Sequence, residues 1–179
     1  MTISRTHMAP FTLSWRSDLS QAEAIAALFL RQLSPHYISH SELQERRAVA
    51  IGEWRSDLPE VLRAQVRQAL AQPLATSNTL VATAHSGDTL AGIALVSIDE
   101  ARLASRAFAT LDDLVVDAPF QGSGLGSLMF DWLCAELRQQ RGIARLFLES
   151  GIGNEDAHRF FKARGCTPVS VTMLKELEG

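Results

Sequence analysis

A chain of 179 residues, 46% hydrophobic and 21% charged, has the length and composition of one globular domain (1–179) with a full core, which excludes a disordered or collagen-like chain. Its 17 basic and 20 acidic residues give a formal net charge of −3, so the basic excess of a duplex-binding surface is missing and nucleic acid is not expected as a partner. Two cysteines, Cys134 and Cys166, are too few for a disulfide scaffold and stand in no zinc-like spacing; they read as reduced thiols, with no metal and a cytoplasmic setting expected.

In chain order, Phe11, Leu13 and Trp15 alternate with polar neighbours and predict a strand over 10–16. Ser20 with Glu23 forms a capping box, and Ile25, Leu28, Phe29 and Leu33 recur at helical spacing, so a helix is expected over 20–33, stopped by Pro35. Further capping boxes at Ser41/Gln44 and Asp57/Glu60 divide 41–71 into two helices, and Pro73 ends the helical region. Runs rich in Val, Ile, Leu and Thr over 79–85 and 89–99, joined by Ser86-Gly87-Asp88, predict a hairpin, and a third run over 107–116 follows a polar connection at 102–106.

A glycine-rich turn, a long helix over 122–141 closed by Gly142 and a strand over 144–149 then make a βαβ unit. Asn154 can cap a last helix closed by Gly165, and a final strand is expected over 168–177. The whole is an α/β domain with a mixed, mostly antiparallel sheet flanked by helices on both faces. The longest uncharged apolar stretch, 89–98, is too short to cross a bilayer, and residues 1–15 hold no apolar signal core, so neither membrane nor export is expected.

The glycine-rich turn carries the chemical information. Gly122, Gly124 and Gly126 stand where a strand ends and a helix begins, and the unpaired N–H groups there, backed by the helix dipole, favour a phosphate or pyrophosphate. A bare tight turn would not explain why two glycines, each costly in a helix, open an otherwise apolar one. A nucleotide-triphosphate loop is excluded, because Ser127-Leu128 stand where Lys and Ser or Thr are needed. A dinucleotide site stays the rival, with Glu149 about 20 residues on as the ribose acid, but the glycines run G-x-G-x-G and not G-x-G-x-x-G.

The run LDDLVV (111–116), a short spacer and QGSGLG (121–126) resemble the acyl-CoA-binding core of the GCN5-related N-acetyltransferase (GNAT) family, and NEDAHRFFKARGC (154–166) resembles that family's downstream segment. The resemblance implies acetyl-CoA as co-substrate. Its arm would pair with the backbone of Leu114, Val115 and Val116, and its pyrophosphate would lie on the N–H groups of Gln121, Gly122, Ser123, Gly124, Leu125, Gly126 and Ser127. Asn154 corresponds to the family residue that bonds the cofactor arm and can cap its helix as well. Phe161 takes the place of the family tyrosine proposed to protonate the leaving thiolate, which favours, as an alternative to an enzyme, a catalytically silent acyl-CoA sensor. A thiol is a tolerable leaving group without that acid.

Attack on a thioester needs a neutral amine, so a base or a wet proton path is required. Asp112, which aligns with a family acid acting through water, is the first candidate and Glu149 the second; each could equally be a solvated strand-end acid. If the strand is regular, Asp113 faces the other way. The backbone N–H of Val116 is the expected donor to the carbonyl oxygen. His158 and Cys134 read as packing residues, so direct transfer to the amine is preferred over a cysteine intermediate. Acceptor choice falls in 29–54, with His36 and Tyr37 in a loop the favoured contacts and Phe29 and Trp54 read as core. The acceptor is a primary amine of a small molecule or a peptide, and a homodimer is left open.

Overall fold

The computed structural model describes residues 5–8, 10–44, 47–99 and 107–177. In chain order its elements are β1 (Arg5–Met8), β2 (Phe11–Arg16), α1 (Ala22–Arg31), α2 (His40–Gln44), β3 (Ala48–Ala50), β4 (Glu53–Trp54), α3 (Leu58–Ala71), β5 (Thr79–Ser86), β6 (Thr89–Ile98), β7 (Phe108–Val116), α4 (Leu125–Arg141), β8 (Arg145–Leu148) and α5 (Glu155–Ala163), with 3₁₀ turns between some of them. The chain forms two compact units: Met1–Leu33 with Ser56–Leu148, and Ser34–Arg55 with Glu149–Gly179.

The first unit holds a six-stranded sheet in the order β1-β2-β5-β6-β7-β8. Every pair is antiparallel except β7–β8, as a hairpin meander followed by a βαβ crossover requires. Consecutive residues of β5 and β6 are buried, which means both faces are covered: α1 and α3 pack on β6 and β5, and α4 packs on β7 and β2. Leu13, Trp15, Ile25, Leu28, Leu62, Ile93, Leu125 and Leu133 are fully buried, each worth about 1.5–3 kcal/mol of apolar burial. The Trp15 ring lies 5.0 Å from that of Trp132, and its Nε1 donates to Glu136 Oε2 at 3.2 Å, so a buried donor finds its acceptor on α4. Arg141, in the last turn of α4, donates to the carbonyls of Leu74 and Ser77.

In the second unit, Glu42 and Arg47 form a buried ion pair at 3.4 Å, and the Arg47 carbonyl accepts from the Arg55 N–H at 3.1 Å. Asn154 caps α5 as expected, its Oδ1 accepting from the Ala157 N–H at 3.3 Å. Among the described residues, no helix is long and apolar enough to cross a membrane.

Several expectations are corrected. The Ser20 capping box is displaced by Asp18, whose carboxylate accepts from the Ser20 N–H at 2.9 Å and opens a 3₁₀ turn, so α1 starts at Ala22 and ends at Arg31. The stretch read as two helices contains the short α2 and then the β3–β4 ribbon before α3 begins; two strands this brief leave too little periodicity to detect. β1 escapes detection for the same reason.

The expected strand over 168–177 is absent. Val169, Val171, Met173 and Leu177 alternate as a strand would, yet they are 77–89% exposed and no described strand pairs with them. Alternation is a local pattern, whereas a strand exists only when a partner takes up its hydrogen bonds. The connection at 102–106 lies outside the described residues.

Candidate active site

The sheet prepares an open edge in the first unit. β7 pairs with β8 from Phe108 opposite Arg145 to Leu111 opposite Leu148, and β8 then ends. Residues 112–116 continue β7 with no strand opposite them on that side among the described residues. Against β6 the register slips: Leu95 faces Asp113 and Val96 faces Leu111, so Asp112 is the extra residue of a bulge. The strand is therefore not regular where the two acids lie. Asp112 is half-buried and accepts from Ser97 Oγ at 2.5 Å, while Asp113 is buried at 2% exposure.

The chain leaving β7 is fastened from both sides. The Asp117 N–H donates to the Ala91 carbonyl at 2.9 Å, and its carboxylate accepts from Arg31 at 3.0 and 2.7 Å, from Gln32 Nε2 at 2.8 Å and from the Ala118 N–H at 3.1 Å. The Arg31 guanidinium holds the Asp117 carboxyl below the usual carboxylate range. Gln121 Nε2 donates to the Val116 carbonyl at 3.0 Å and to Gln32 Oε1 at 3.2 Å. Sequence reasoning misses Asp117; its only local signal is an acid two residues before Pro119, a turn-capping position.

The glycine-rich turn then delivers the chain to α4. Gly122 and Gly124 have φ of +75° and +85°, a conformation that side-chain-bearing residues avoid, and Gly124 is the N-cap of α4. The N–H groups of Gln121 and Ser123 already donate to Ala118 and Phe120 carbonyls, so an anion would be met by Gly122, Gly124 and the first turn of α4, Leu125, Gly126 and Ser127. The helix is anchored below by buried Leu125, Met129 and Leu133, which fixes the direction of its N-terminus.

The second unit brings together other predicted residues. A 3₁₀ turn over Pro35–Tyr37 places His36 exposed and Tyr37 half-buried. Gly151 and Gly153 run against this turn: a Cβ on Gly151 would lie 2.3 Å from the His36 carbonyl oxygen and 2.5 Å from that of Ile38, and one on Gly153 would lie 3.1 Å from His36 Nδ1. Glu149 Oε2 is 2.6 Å from His40 Nδ1 and accepts from the Ser41 N–H at 3.3 Å. His40 does not stand out in the sequence, because nothing local ties it to a residue more than a hundred positions away.

Phe161 is half-buried with its ring edge-on to Phe160 at 5.1 Å, and it offers no hydroxyl. Phe29 is buried, as expected of core, and Cys134 and Cys166 are free thiols, with burial pushing the Cys166 thiol up. Asp112, residues 114–116 and the turn from Gln121 to Ser127 thus belong to the first unit, while Glu149, Asn154, Phe161, His36 and Tyr37 belong to the second. Among the described residues, no group of three or more His, Cys, Asp or Glu is placed to hold a metal ion.

Comparison with solved structures finds the same fold. The chain superposes on the tetramutant of BH1408 protein from Bacillus halodurans with TM-score 0.68 at 18% identity, covering 99% of this chain and 100% of that one. It is similar to a ribosomal-protein-alanine N-acetyltransferase from Brucella melitensis biovar Abortus 2308 (TM-score 0.62, 13% identity, 93% and 99% covered). A third relative is an aminoglycoside acetyltransferase from an uncultured soil metagenomic sample, solved with sisomicin (0.63, 16%, 94% and 97%). No curated protein sequence matches the chain. The model of the acetyltransferase (GNAT) family matches residues 43–166, well over half of the 179, and the chain belongs to that family.

Proposed function

We propose that the protein transfers an acetyl group from acetyl-CoA directly to a primary amine of a small molecule or peptide. The observation that carries this is the pairing of an open β7 edge at 112–116 with the positive-φ turn and helix N-terminus that follow it. An extended amide-bearing arm can add to such an edge as a strand does, and a pyrophosphate suits the α4 N-terminus. Acetyl-CoA supplies a thioester-activated acetyl group. Leu114, Val115 and Val116 would hold its arm by main-chain bonds, and Gly122, Gly124, Leu125, Gly126 and Ser127 would hold its phosphates.

Asn154 keeps its Nδ2 as a donor while Oδ1 caps α5, so the cap leaves part of its hydrogen-bonding capacity unused. Asp112, half-buried and bonded to Ser97, would relay a proton through water. The related folds named for a ribosomal protein alanine and for an aminoglycoside support both acceptor classes. The two free thiols suit a reducing compartment.

A second reading, an acyl-CoA sensor, is favoured by Phe161, which leaves the leaving thiolate without a phenolic acid. Two measurements decide. Acetyl-CoA at 100 times its Kd should add about 2.7 kcal/mol of stability, several degrees in Tm, while NAD adds nothing. Release of free CoA thiol across a panel of primary amines and peptides should identify an acceptor. Binding without turnover on any acceptor would favour the sensor, and no binding would overturn both readings.

A further inference from the structure

The open edge of β7 ends in a main-chain carbonyl that the protein itself has covered. The Asp117 N–H donates to the Ala91 carbonyl of β6 at 2.9 Å. Main-chain groups of successive strand residues turn to alternate sides, so Val116 turns its N–H and its carbonyl to the open side. Gln121 Nε2 donates to that carbonyl at 3.0 Å. The Gln121 carboxamide thus stands on the edge where an added strand would place an N–H of its own.

A lone surface glutamine would hold such a position weakly, since either end of its amide can turn to a neighbour. Here a buried charge sets the polarity. Asp117, kept ionised by Arg31 bonds at 3.0 and 2.7 Å, has only lone pairs to offer, so Gln32 turns its Nε2 to it at 2.8 Å. Gln32 Oε1 is then left for Gln121, whose Nε2 donates to it at 3.2 Å and keeps its second hydrogen for the Val116 carbonyl. Turning either amide round would set oxygen against oxygen. All of these groups belong to the first unit.

We infer that Gln121 is a specificity-determining stop on the co-substrate edge, an assignment that rests on the role proposed above for that edge. It withholds the Val116 carbonyl, so the end of the edge presents the Val116 N–H and takes a carbonyl oxygen of an extended ligand, not an N–H. Gln32 and Asp117 are positioning residues, which act by keeping the stop in place. An amide-bearing arm followed by an anionic group fits this arrangement, because strand-like pairing ends just before the N–H groups of the glycine turn begin. A longer extended peptide, which would need the next rung, does not.

Binding alone tests this, read by calorimetry on the full chain with acetyl-CoA and with ADP, which carries a pyrophosphate but no arm. Gln121→Ala uncovers the Val116 carbonyl and should tighten acetyl-CoA binding roughly three- to tenfold, the worth of one added hydrogen bond, and leave ADP binding unchanged. Gln32→Met keeps the bulk but releases the stop, and should shift acetyl-CoA affinity in the same direction by less. Unchanged or weaker acetyl-CoA binding by Gln121→Ala would overturn the stop. So would an equal change for both ligands, since Gln121 would then only shape the phosphate turn. Nitrogen-15 NMR gives an independent check: the Gln121 side-chain amide should exchange its hydrogens slowly in the free protein and still do so with acetyl-CoA bound. Loss of that protection on binding would mean that the arm takes the carbonyl, and the stop falls. If acetyl-CoA does not bind the unsubstituted protein at all, the co-substrate assignment itself falls and the stop with it, a result seen before any substitution is made.

Discussion

The two units are built on different physics. The first buries long apolar side chains from four strands and three helices, whereas the second, among its described residues, buries only Ile38, Glu42, Arg47, Ala48 and Gly151, and α5 buries none. A region with so few buried apolar groups is held by main-chain bonds, a cap and an ion pair, and such regions sit at the low end of local stability. The contrast matches the division of labour proposed for them. A common co-substrate can be held by a rigid backbone cradle, while acceptor choice falls to segments that vary at little cost to the core.

The largest effect that could break this contrast lies in the first unit. Leu133→Ala, at a fully buried site on α4, should destabilise the protein by about 3–5 kcal/mol in urea unfolding. A loss below about 1 kcal/mol would mean that the first unit is no better packed than the second. Next come two glycines, one in each unit. Gly124→Val forces a β-branched residue to φ +85° at the α4 N-cap and should weaken acetyl-CoA binding at least tenfold, read by calorimetry, with a stability cost of about 1–3 kcal/mol. Gly151→Ala should raise the acceptor KM about tenfold and leave the acetyl-CoA Kd unchanged, because the nearest atoms its added methyl meets are backbone of the second unit. If each glycine disturbed both ligands equally, the division of labour would be wrong.

Much of the first unit is legible in the sequence because its signals are local and long. The β5–β6 hairpin and the glycines at both ends of α4 can each be read within a few turns of chain. The open edge of β7 is not legible from β7 itself, since it depends on where β8 stops. Nor is the bulge at Asp112, which is a property of two strands in register. In the second unit Glu149 and Asn154 can be named from sequence, but the partner of Glu149, His40, is brought to it by tertiary structure alone. The segment at 168–177 shows the reverse failure, a convincing local pattern with no partner to complete it.

A smaller effect separates charge from packing inside the first unit. Asp117→Asn keeps the side-chain shape but removes the charged bonds to Arg31, and because Arg31 is half exposed the loss should be only about 1–2 kcal/mol at neutral pH. Its pH dependence follows from the lowered carboxyl. A group held below its unfolded value of 3.8 contributes fully above that value and loses its contribution as pH falls through the folded one. The gap between the unsubstituted protein and Asp117→Asn should therefore be constant from about pH 5 to 7 and close progressively below about pH 4. A gap that persisted in acid would show that Asn disturbs packing and not charge.

The smallest effect defines the floor of the contrast. Arg159 bonds Glu155 and Asp156 on the outer face of α5, and all three side chains are at least two-thirds exposed. Such pairs gain little in water, so Arg159→Ala should change stability by no more than about 0.5 kcal/mol and leave both substrate affinities intact. A larger loss would mean that α5, with no buried residue of its own, depends on its surface charges to stay folded. Surface substitutions of that unit would then unfold it, and its tolerance of acceptor-altering changes would have to be explained by something other than separation from the core.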